Sequence, residues 1–362
     1  MPRLFQQQVV DWYKKNGRKD LPWQHPITPY TTWVSEIMLQ QTQVVTVINY
    51  FNRFIRRFPH IASLAESSLD EVLMLWAGLG YYSRARNLHK TAKIIHETYG
   101  GHFPTTSAEL EALPGIGRST AGAILSLSMN QPVPILDGNV KRVFVRYFAI
   151  QGWPFENKVL KQLWQIAQDY MPNQNTAAYT QAMMDLGAMI CTPHRPHCTH
   201  CPLNKTCQAN QKGLQLALPT PKPRKEIPQR HTFLLIMQNE AGDVLFEKRS
   251  PTGIWGGLWS FPERENRKNL DEKILKQFGL VIQEVEHLTS FTHTFSHFRL
   301  SISPLLIHVV PQTDNLKIQE SSQIYWQNLK EPLKIGLPGP IQKLFTQILK
   351  KRLDSKAVDR FN

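Results

Sequence analysis

The four cysteines of the chain lie in one short stretch and constrain its fold more than any other feature. They are Cys191, Cys198, Cys201 and Cys207, in the spacing C-x6-C-x2-C-x5-C. Thiols this close together predict a compact metal-binding loop and disfavour a disulfide framework. Structural zinc sites usually pair two tight knuckles, whereas this stretch has one Cys-x2-Cys knuckle with wider gaps that suit an iron–sulfur cluster. Zinc is the alternative metal.

The net charge of +14 over 362 residues indicates a polyanionic partner, because neutralising phosphates releases counterions. Charge alone leaves a solvated basic surface as the alternative. The length allows two domains, each with its own core. No apolar run reaches the roughly 20 residues that span a bilayer, and the first residues lack a secretion signal. We therefore expect a soluble cytoplasmic protein with no membrane partner.

The spacing of apolar residues divides the chain. Up to about residue 210 they recur at helical intervals, and Ser68 with Glu71 and Thr106 with Glu109 have capping-box spacing. We expect a helical domain over 1–212, a stiff, basic, proline-rich linker over 213–229, a mixed α+β domain over 230–352 and a tail over 353–362. In the α+β domain the pattern predicts strands at 231–237, 244–246 and 298–310, a further strand around 281, and helices at 270–278 and 340–351.

Residues 113–117 read L-P-G-I-G between two helical segments. Gly115 and Gly117 allow backbone amides to approach a phosphate closely, and the next helix presents its positive N-terminal end. Arg118 adds a cation that can contact a phosphate, although an ordinary exposed turn is the alternative. The stretch from about 105 to 128 resembles a helix-hairpin-helix, which grips the DNA backbone without reading sequence.

Two carboxylates have surroundings that suit acid–base chemistry. Glu36 lies in the apolar helical run W-V-S-E-I-M-L, where burial would raise its pKa and keep it protonated. Asp137 in P-I-L-D-G-N-V-K-R reads as a helix N-cap, which accepts bonds from free amides and stays ionised. Glycoside hydrolases, which break a glycosidic bond through a sugar cation, use such a pair of carboxyl groups. An exposed helix glutamate and a purely structural cap are the alternatives.

Together these motifs resemble the MutY family of adenine DNA glycosylases, within the endonuclease III superfamily. The cysteine spacing is similar to the [4Fe–4S] loop of both groups, and V-P-I-L-D-G-N-V-K-R and S-E-I-M-L-Q-Q-T-Q are similar to the catalytic segments of MutY proteins. The resemblance implies one [4Fe–4S] cluster, Glu36 as the acid that protonates adenine N7, and Asp137 as the stabiliser of the sugar cation. It also implies a multidomain fold: a mainly α glycosylase region followed by an α+β Nudix (MutT)-like domain.

The resemblance further implies residues that contact DNA around a base that has left the duplex. Gln41, Thr42, Leu79 and Tyr81 match positions that fill or wedge the stack, and we expect the helix of Glu36 to extend to Gln41 and carry this wedge. Packing inside the helical region is the alternative, for Leu79 in particular. Residues of a lesion-sensing loop in the second domain are Phe295, Ser296 and His297, for which an exposed hairpin tip is the alternative.

Ser119 bears on whether such an enzyme also cuts the DNA backbone. Relatives that also cut the DNA backbone have a lysine at this position, because a Schiff base needs an amine. Serine predicts a monofunctional enzyme without AP lyase activity, although Lys141, one turn beyond Asp137, can trap an abasic aldehyde adventitiously. In the second domain, residues 257–263 keep the opening G-x5-E of a Nudix box, but residues 270–279, which read L-D-E-K-I-L-K-Q-F-G, lack the Arg-Glu pair and the closely spaced glutamates that hold Mg²⁺. We expect no pyrophosphate hydrolysis.

The predicted function is therefore removal of adenine from double-stranded DNA containing an A:8-oxoguanine or A:G mispair, by a monomer. Two other functions are compatible with parts of the pattern. One is a pyrimidine or thymine-mismatch glycosylase on the same helical scaffold. The other is a protein that binds the lesion without releasing a base. In such a protein, Glu36→Gln and Asp137→Asn would leave lesion binding unchanged.

Overall fold

The computed structural model describes residues 2–223, 226–312 and 323–358, with side chains up to residue 350. The chain forms two compact units. The first unit comprises Met1–Ser67 and Arg86–Arg224, and the second comprises Ser68–Ala85 and Lys225–Asn362. A short helical segment from the N-terminal half of the sequence thus packs with the C-terminal residues. None of the described helices is long and apolar enough to cross a membrane.

The N-terminal part of the chain is helical, as the apolar periodicity predicts. Its helices are α1 (Pro2–Asn16), α2 (Pro29–Leu39), α3 (Val44–Arg57), α4 (Ile61–Ala65), α5 (Leu69–Trp76), α6 (Ser83–Thr98), α7 (Ser107–Glu111), α8 (Arg118–Ala123), α9 (Gly138–Tyr147), α10 (Asn157–Asp169), α11 (Thr176–Asp185) and α12 (Gln208–Gln211). Five-residue π-helical segments continue α8 through Ser128 and α11 through Ile190. Short 3-10 turns cover Pro22–Gln24 and Cys198–His200.

Side-chain caps explain where several helices begin. The Ser68 hydroxyl accepts a bond from the Glu71 amide, and the Thr106 hydroxyl accepts one from the Glu109 amide. Asp137 caps α9 in the same way. An oxygen at the N-cap satisfies an amide that has no partner within the helix. The helix starts predicted from these residues are confirmed.

The core of the first unit includes an aromatic cluster. Phe5 of α1 makes edge-to-face contacts with Tyr147 and Tyr170, at ring-centroid distances of 4.8 and 5.1 Å. Leu218 is also buried in this core, and a proline-rich stretch follows it. The first residues of the predicted linker therefore pack on the first unit, while Arg224 and Lys225 lie outside the described residues.

The second unit contains a mixed sheet. Its strands are β1 (Gln229–Gln238), β2 (Val244–Lys248), β3 (Trp259–Ser260), β4 (Glu263–Arg264), β5 (Leu280–His287), β6 (Phe291–Thr294), β7 (Arg299–Pro311) and β8 (Ile324–Gln327). In the described part of the chain the sheet order is β3-β2-β1-β7-β5, with β8 on β2, β4 on β1 and β6 on β7. The β1–β7 pair is parallel, with Leu235 opposite Leu305, and the other pairs are antiparallel.

Two helices cover the faces of this sheet. Helix α13 (Leu270–Phe278) buries Ile274 against one face, and it ends at Gly279, whose φ of +65° suits a glycine. Helix α14 (Gly339–Val358) places Phe345 against Phe246 of β2 at 5.6 Å. Successive side chains of a strand point to opposite faces, so both faces become buried. The predicted α+β domain is confirmed, and its closing helix continues past the predicted end at residue 351.

Candidate active site

A cavity of about 580 Å³ opens in the first unit. Glu36 on α2 and Asp137 at the start of α9 both line it, although 100 residues separate them in the sequence. Ser119, Gln41 and Thr42 line the same cavity. The structure thus brings together the two candidate catalytic carboxylates and three further candidate site residues.

Glu36 lies in a buried stretch of α2. Its neighbours Ser35 and Ile37 are buried, and only its own side chain is partly exposed, toward the cavity. Burial and, to a smaller extent, the negative charge of Asp137 together raise the pKa of Glu36 from 4.5 to about 8. Glu36 therefore keeps its proton at neutral pH, as the apolar sequence context predicts.

Asp137 is surrounded by groups that favour its ionised form. Its Oδ1 accepts from the Val140 amide at 2.7 Å, and its Oδ2 accepts from Asn139 Nδ2 at 3.2 Å. Burial raises the pKa of Asp137, while these two bonds and the Arg142 guanidinium act against that rise. Asp137 therefore has three neighbouring groups that stabilise its negative charge, whereas both influences on Glu36 favour its protonated form. This difference suits Asp137 to act as a carboxylate and Glu36 to act as an acid.

Arg142 links this carboxylate to the cysteine loop. Its Nη2 donates to Asn139 Oδ1 at 2.8 Å and to the Gly187 carbonyl at 2.7 Å. Its Nε donates to the Cys191 carbonyl at 2.6 Å. A planar guanidinium with several fixed partners is a rigid connector. The position of Asp137 is therefore tied, through Asn139 and Arg142, to the backbone of the first cysteine.

The four thiols are partly buried and close enough to influence one another's charge. Burial raises the pKa of the Cys201 thiol to about 12 and that of Cys198 and Cys207 in the same direction. The buried Arg146 guanidinium lies 3.4 Å from Cys191 Sγ. Within the described residues no three or more His, Cys, Asp or Glu side chains surround the position of a single metal ion. The chemistry of the four thiols and their surroundings is what suits a larger metal group. A compact all-thiol donor set beside a fixed cation fits a thiolate-ligated cluster, which carries net negative charge.

Three polar residues of the cavity region were not predicted from the sequence. Asp185 is fully buried and accepts bonds from the Arg18 side chain at 2.6 and 2.9 Å, from the Arg18 amide at 2.8 Å and from Gln181 Nε2 at 3.0 Å. Arg18 and Gln181 line the cavity. The pairing joins residues 167 positions apart, so no local pattern could have indicated it.

The predicted extension of the Glu36 helix to Gln41 is wrong. Helix α2 ends at Leu39, and Gln41 has a left-handed φ of +57°. The Thr42 amide bonds to the Leu39 carbonyl at 3.2 Å, which closes a turn before α3. The polar run from Gln40 to Gln43 has no apolar face to continue a buried helix. Gln41 and Thr42 therefore reach the cavity from a loop.

The hairpin residues lie between α7 and α8. Gly115 has a φ of +81°, and a Cβ there would lie 2.8 Å from Asn87 Cβ, so this position requires glycine. Gly117 is exposed and caps α8, and the Arg118 guanidinium stacks over the Trp164 ring at 4.0 Å. Ser119 Oγ accepts from the Leu136 amide at 3.0 Å. Ser119 thus joins the hairpin helix to the residue that precedes Asp137.

The remaining lesion-contact candidates lie in the second unit. Leu79 is buried, whereas Tyr81 is 46% exposed, with a left-handed φ of +47°. The Tyr81 and Ser296 hydroxyls are hydrogen-bonded at 3.1 Å. Phe295 stacks on Phe298 at 4.6 Å, while Ser296 and His297 are exposed. The structure therefore brings the candidate wedge residue Tyr81 to the candidate lesion-sensing loop.

The glutamate of the partial Nudix box has an intramolecular partner. Both oxygens of Glu263 accept bonds from Arg249, each at 2.9 Å. The Arg249 guanidinium also lies 5.5 Å from the Trp255 ring. A bidentate pair of this kind fixes both side chains. Glu263 thus organises the loop around Trp255.

The helical scaffold, its hairpin and its carboxylate-lined cavity define a base excision DNA repair protein. Residues 34–169 match the family model for the HhH-GPD superfamily base excision DNA repair protein, and residues 232–347 match a NUDIX domain. A solved thermostable thymine-DNA glycosylase is 26% identical and superposes with a TM-score of 0.53, covering 58% of this chain and 97% of that one.

The chain belongs to the adenine DNA glycosylase family. It is 46% identical over 349 residues to the adenine DNA glycosylase of Buchnera aphidicola subsp. Acyrthosiphon pisum, covering 96% of this chain and 98% of that one. It is 35% identical to the Homo sapiens adenine DNA glycosylase, covering 82% of this chain and 65% of that one. The predicted family, the multidomain fold and the assignment to DNA glycosylase enzymes of base excision repair are confirmed.

Proposed function

We propose that the chain is a monofunctional adenine DNA glycosylase that acts, as a monomer, on adenine opposite 8-oxoguanine or guanine in double-stranded DNA. The observation that carries the proposal is one cavity lined by two carboxyl groups, Glu36 with a raised pKa and Asp137 with bonds from the Val140 amide and Asn139 that favour its charge. Family membership names adenine as the base. The proposed domains are 1–212 for glycosylase chemistry and 230–352 for recognition of the opposite base, joined by a linker over 213–229.

In the proposed reaction, adenine leaves the duplex and enters the cavity. Glu36 donates its proton to N7, the C1′–N9 bond breaks, and its electron pair stays on N9, so that neutral adenine departs. The Asp137 carboxylate stabilises the sugar cation that remains. A water molecule then adds its hydroxide to C1′, and its proton restores Glu36. The products are free adenine and an abasic site.

Polar residues at the cavity wall would hold the base. Asp185 fixes the side chains of Arg18 and Gln181, so their donors and acceptors are oriented before the base arrives. A glutamine amide matches the N6 donor and the N1 acceptor on the Watson–Crick edge of adenine, which leaves N7 to Glu36. Ser119, through the Leu136 amide, and Asn139 would hold Asp137 in register with this base.

One [4Fe–4S] cluster is proposed as the cofactor, ligated by Cys191, Cys198, Cys201 and Cys207. When bound, it supplies four iron–thiolate bonds that fix the loop. The exposed basic residues of the loop would then face DNA phosphates, which are attracted without sequence preference. These residues are His194, Arg195, His197, His200 and Lys205.

DNA contacts are proposed at the positions that the sequence analysis selected. Gly115, Gly117 and Arg118 would bind the backbone at the hairpin, and Gln41, Thr42 and Tyr81 would fill the distorted stack. Leu79 would need to leave its buried position to do so. Phe295, Ser296 and His297 would contact the base opposite adenine.

The proposed lack of lyase activity rests on the shortage of suitably placed amines near the cavity. Ser119 carries none, and Lys141 Nζ lies 4.1 Å from the centre of the Phe155 ring. Borohydride treatment of enzyme with abasic DNA tests this part. Trace cross-linking without strand cleavage is expected, and efficient cross-linking with rapid cleavage would contradict it.

The substrate is tested by single-turnover release from A:8-oxoguanine, A:G, A:T and T:G duplexes, with the freed base identified. Free adenine should appear from A:8-oxoguanine fastest, from A:G more slowly and from A:T hardly at all. Release of thymine from T:G would instead establish a thymine-mismatch glycosylase. Lesion binding with no base release would establish a non-catalytic sensor.

A further inference from the structure

Helix α5 is anchored to the C-terminal part of the second unit at two points. Lys248 Nζ of β2 lies 2.7 Å from Asp70 Oδ2, in the first turn of α5. At the second point, a Cβ on Gly336 would lie 3.2 Å from the Leu73 carbonyl and 3.1 Å from a Leu258 methyl group. The chain around Gly336 is held in turn, since its carbonyl accepts from the Trp259 amide at 3.0 Å. An ion pair and a close backbone contact therefore fix α5.

The turn that follows α5 is bonded to α5 through Trp76 and to α6 through Arg84. Trp76 Nε1 donates to the Gly80 carbonyl at 3.2 Å. Arg84 Nη2 donates to the carbonyls of Leu79 and Gly80, both at 3.2 Å. Trp76 and Arg84 therefore both hold Gly80, the residue directly before Tyr81.

Tyr81 ends this sequence of contacts on the exposed loop of residues 295–297. Its hydroxyl is within 3.1 Å of Ser296 Oγ, and either group can donate. The ring is packed by Arg84, whose guanidinium lies 5.5 Å from the ring centre. Phe295 anchors the other side of the loop through Phe298 and Trp255, at 4.6 and 5.5 Å. Tyr81 and Ser296 are thus held together from two sides.

We propose that Asp70 and Lys248 are positioning residues for lesion discrimination, because their ion pair docks α5 so that Tyr81 and Ser296 read the opposite base as one element. This inference rests on the proposed adenine glycosylase function and deepens it. Guanine and 8-oxoguanine differ only at N7 and C8, so telling them apart depends on polar groups placed to within hydrogen-bonding tolerance. Neither Asp70 nor Lys248 needs to touch the DNA.

The test measures single-turnover adenine release from A:8-oxoguanine and from A:G for the full-length protein and its variants. Lys248→Met keeps the apolar stem and removes the charge, and Asp70→Asn removes the partner charge. Each should lower the preference for 8-oxoguanine by about twofold to fivefold, the size expected for a partly exposed ion pair. Release from A:G at saturating enzyme should stay near the wild-type rate, since the cavity is untouched.

Two further variants separate positioning from general destabilisation. The exchanged pair Asp70→Lys with Lys248→Asp should regain most of the preference that the single variants lose. Gly336→Ala, which pushes on the Leu73 carbonyl, should lower the preference without any change of charge. The matched control is Asp11→Asn, which removes the exposed Lys14–Asp11 pair of α1 and should change nothing.

An unchanged preference in Lys248→Met and Asp70→Asn would overturn the proposal. So would an equal loss of rate on both duplexes, or an exchanged pair that behaves like the single variants. If the wild-type protein shows no preference for A:8-oxoguanine over A:G, the part of the proposed function that concerns recognition of 8-oxoguanine is contradicted. That failure is visible before any variant is compared.

Discussion

Glu36 makes the rate of base release depend on pH in a predictable direction. With a pKa of about 8, it is about 90% protonated at pH 7 and about 10% protonated at pH 9. The single-turnover rate of adenine release should therefore fall about tenfold between these pH values. Glu36→Gln cannot donate a proton and should be slower by about a hundredfold to ten-thousandfold, with no such decline above pH 7. A wild-type rate that stays level to pH 9.5 would refute the assignment of Glu36 as the acid.

The same raised pKa has a consequence for stability that serves as a second readout. The folded-state pKa of Glu36 lies above its ordinary value of 4.5. The contribution of Glu36 to the free energy of unfolding is therefore fully present below pH 4.5 and is lost as the pH rises through about 8. The loss is at most about 1.4 kcal/mol per pH unit over that interval. Glu36→Gln lacks the ionisable group. In thermal unfolding, its stability relative to the wild type should therefore rise from pH 5 to pH 8. A constant difference between the two proteins would contradict the raised pKa.

Three further changes, one of them with a matched control variant, have defined outcomes. Gly115→Ala should cost about 1–2 kcal/mol or more, since its φ is +81° and its Cβ would meet Asn87, and it should weaken DNA binding in a fluorescence titration. The matched control is Gly117→Ala, because Gly117 has a φ of −98° and open space around it; its free energy of unfolding should lie within about 0.5 kcal/mol of the wild-type value. Equal effects of the two substitutions would argue against the hairpin geometry. Arg146→Met removes the buried donor of three carbonyls, those of Leu218, Thr192 and Pro193, and should destabilise the protein by about 3 kcal/mol, with lower iron and sulfide content per chain. Unchanged iron and sulfide content would contradict the role of Arg146 beside the thiols. Ser119→Lys places an amine in the cavity and should produce borohydride-trapped enzyme with strand cleavage, whereas a variant that still traps only traces would show that position 119 does not control lyase activity.

Features with a local cause could be predicted from the sequence. The Asp137 cap depends on one side chain and the amide three residues later, and the end of α13 depends on a glycine with positive φ at Gly279. The burial that contributes most to the raised pKa of Glu36 follows from its apolar neighbours on α2. Each of these signals is contained in a single turn of the chain.

Features that depend on distant packing could not be predicted in this way. The Arg18–Asp185 pair joins residues far apart in sequence, and neither position has an unusual neighbourhood. The grouping of Ser68–Ala85 with the C-terminal residues depends on contacts with Lys248 and Gly336, which only the folded chain reveals. Gln41 leaves the helix because α3 must begin soon after it, and helical periodicity alone does not locate such an end.

The most direct test of the proposed chemistry is the rate of adenine release by Asp137→Asn, measured together with its binding to an A:8-oxoguanine duplex. Asparagine is as good an N-cap as aspartate, so α9 and the cavity should persist and lesion binding should stay near that of the wild type. Without the carboxylate, release should fall by at least about a hundredfold, because the sugar cation loses its stabilising charge. Asp137→Asn that binds the lesion and releases adenine at the wild-type rate would contradict the central role of the Glu36–Asp137 pair.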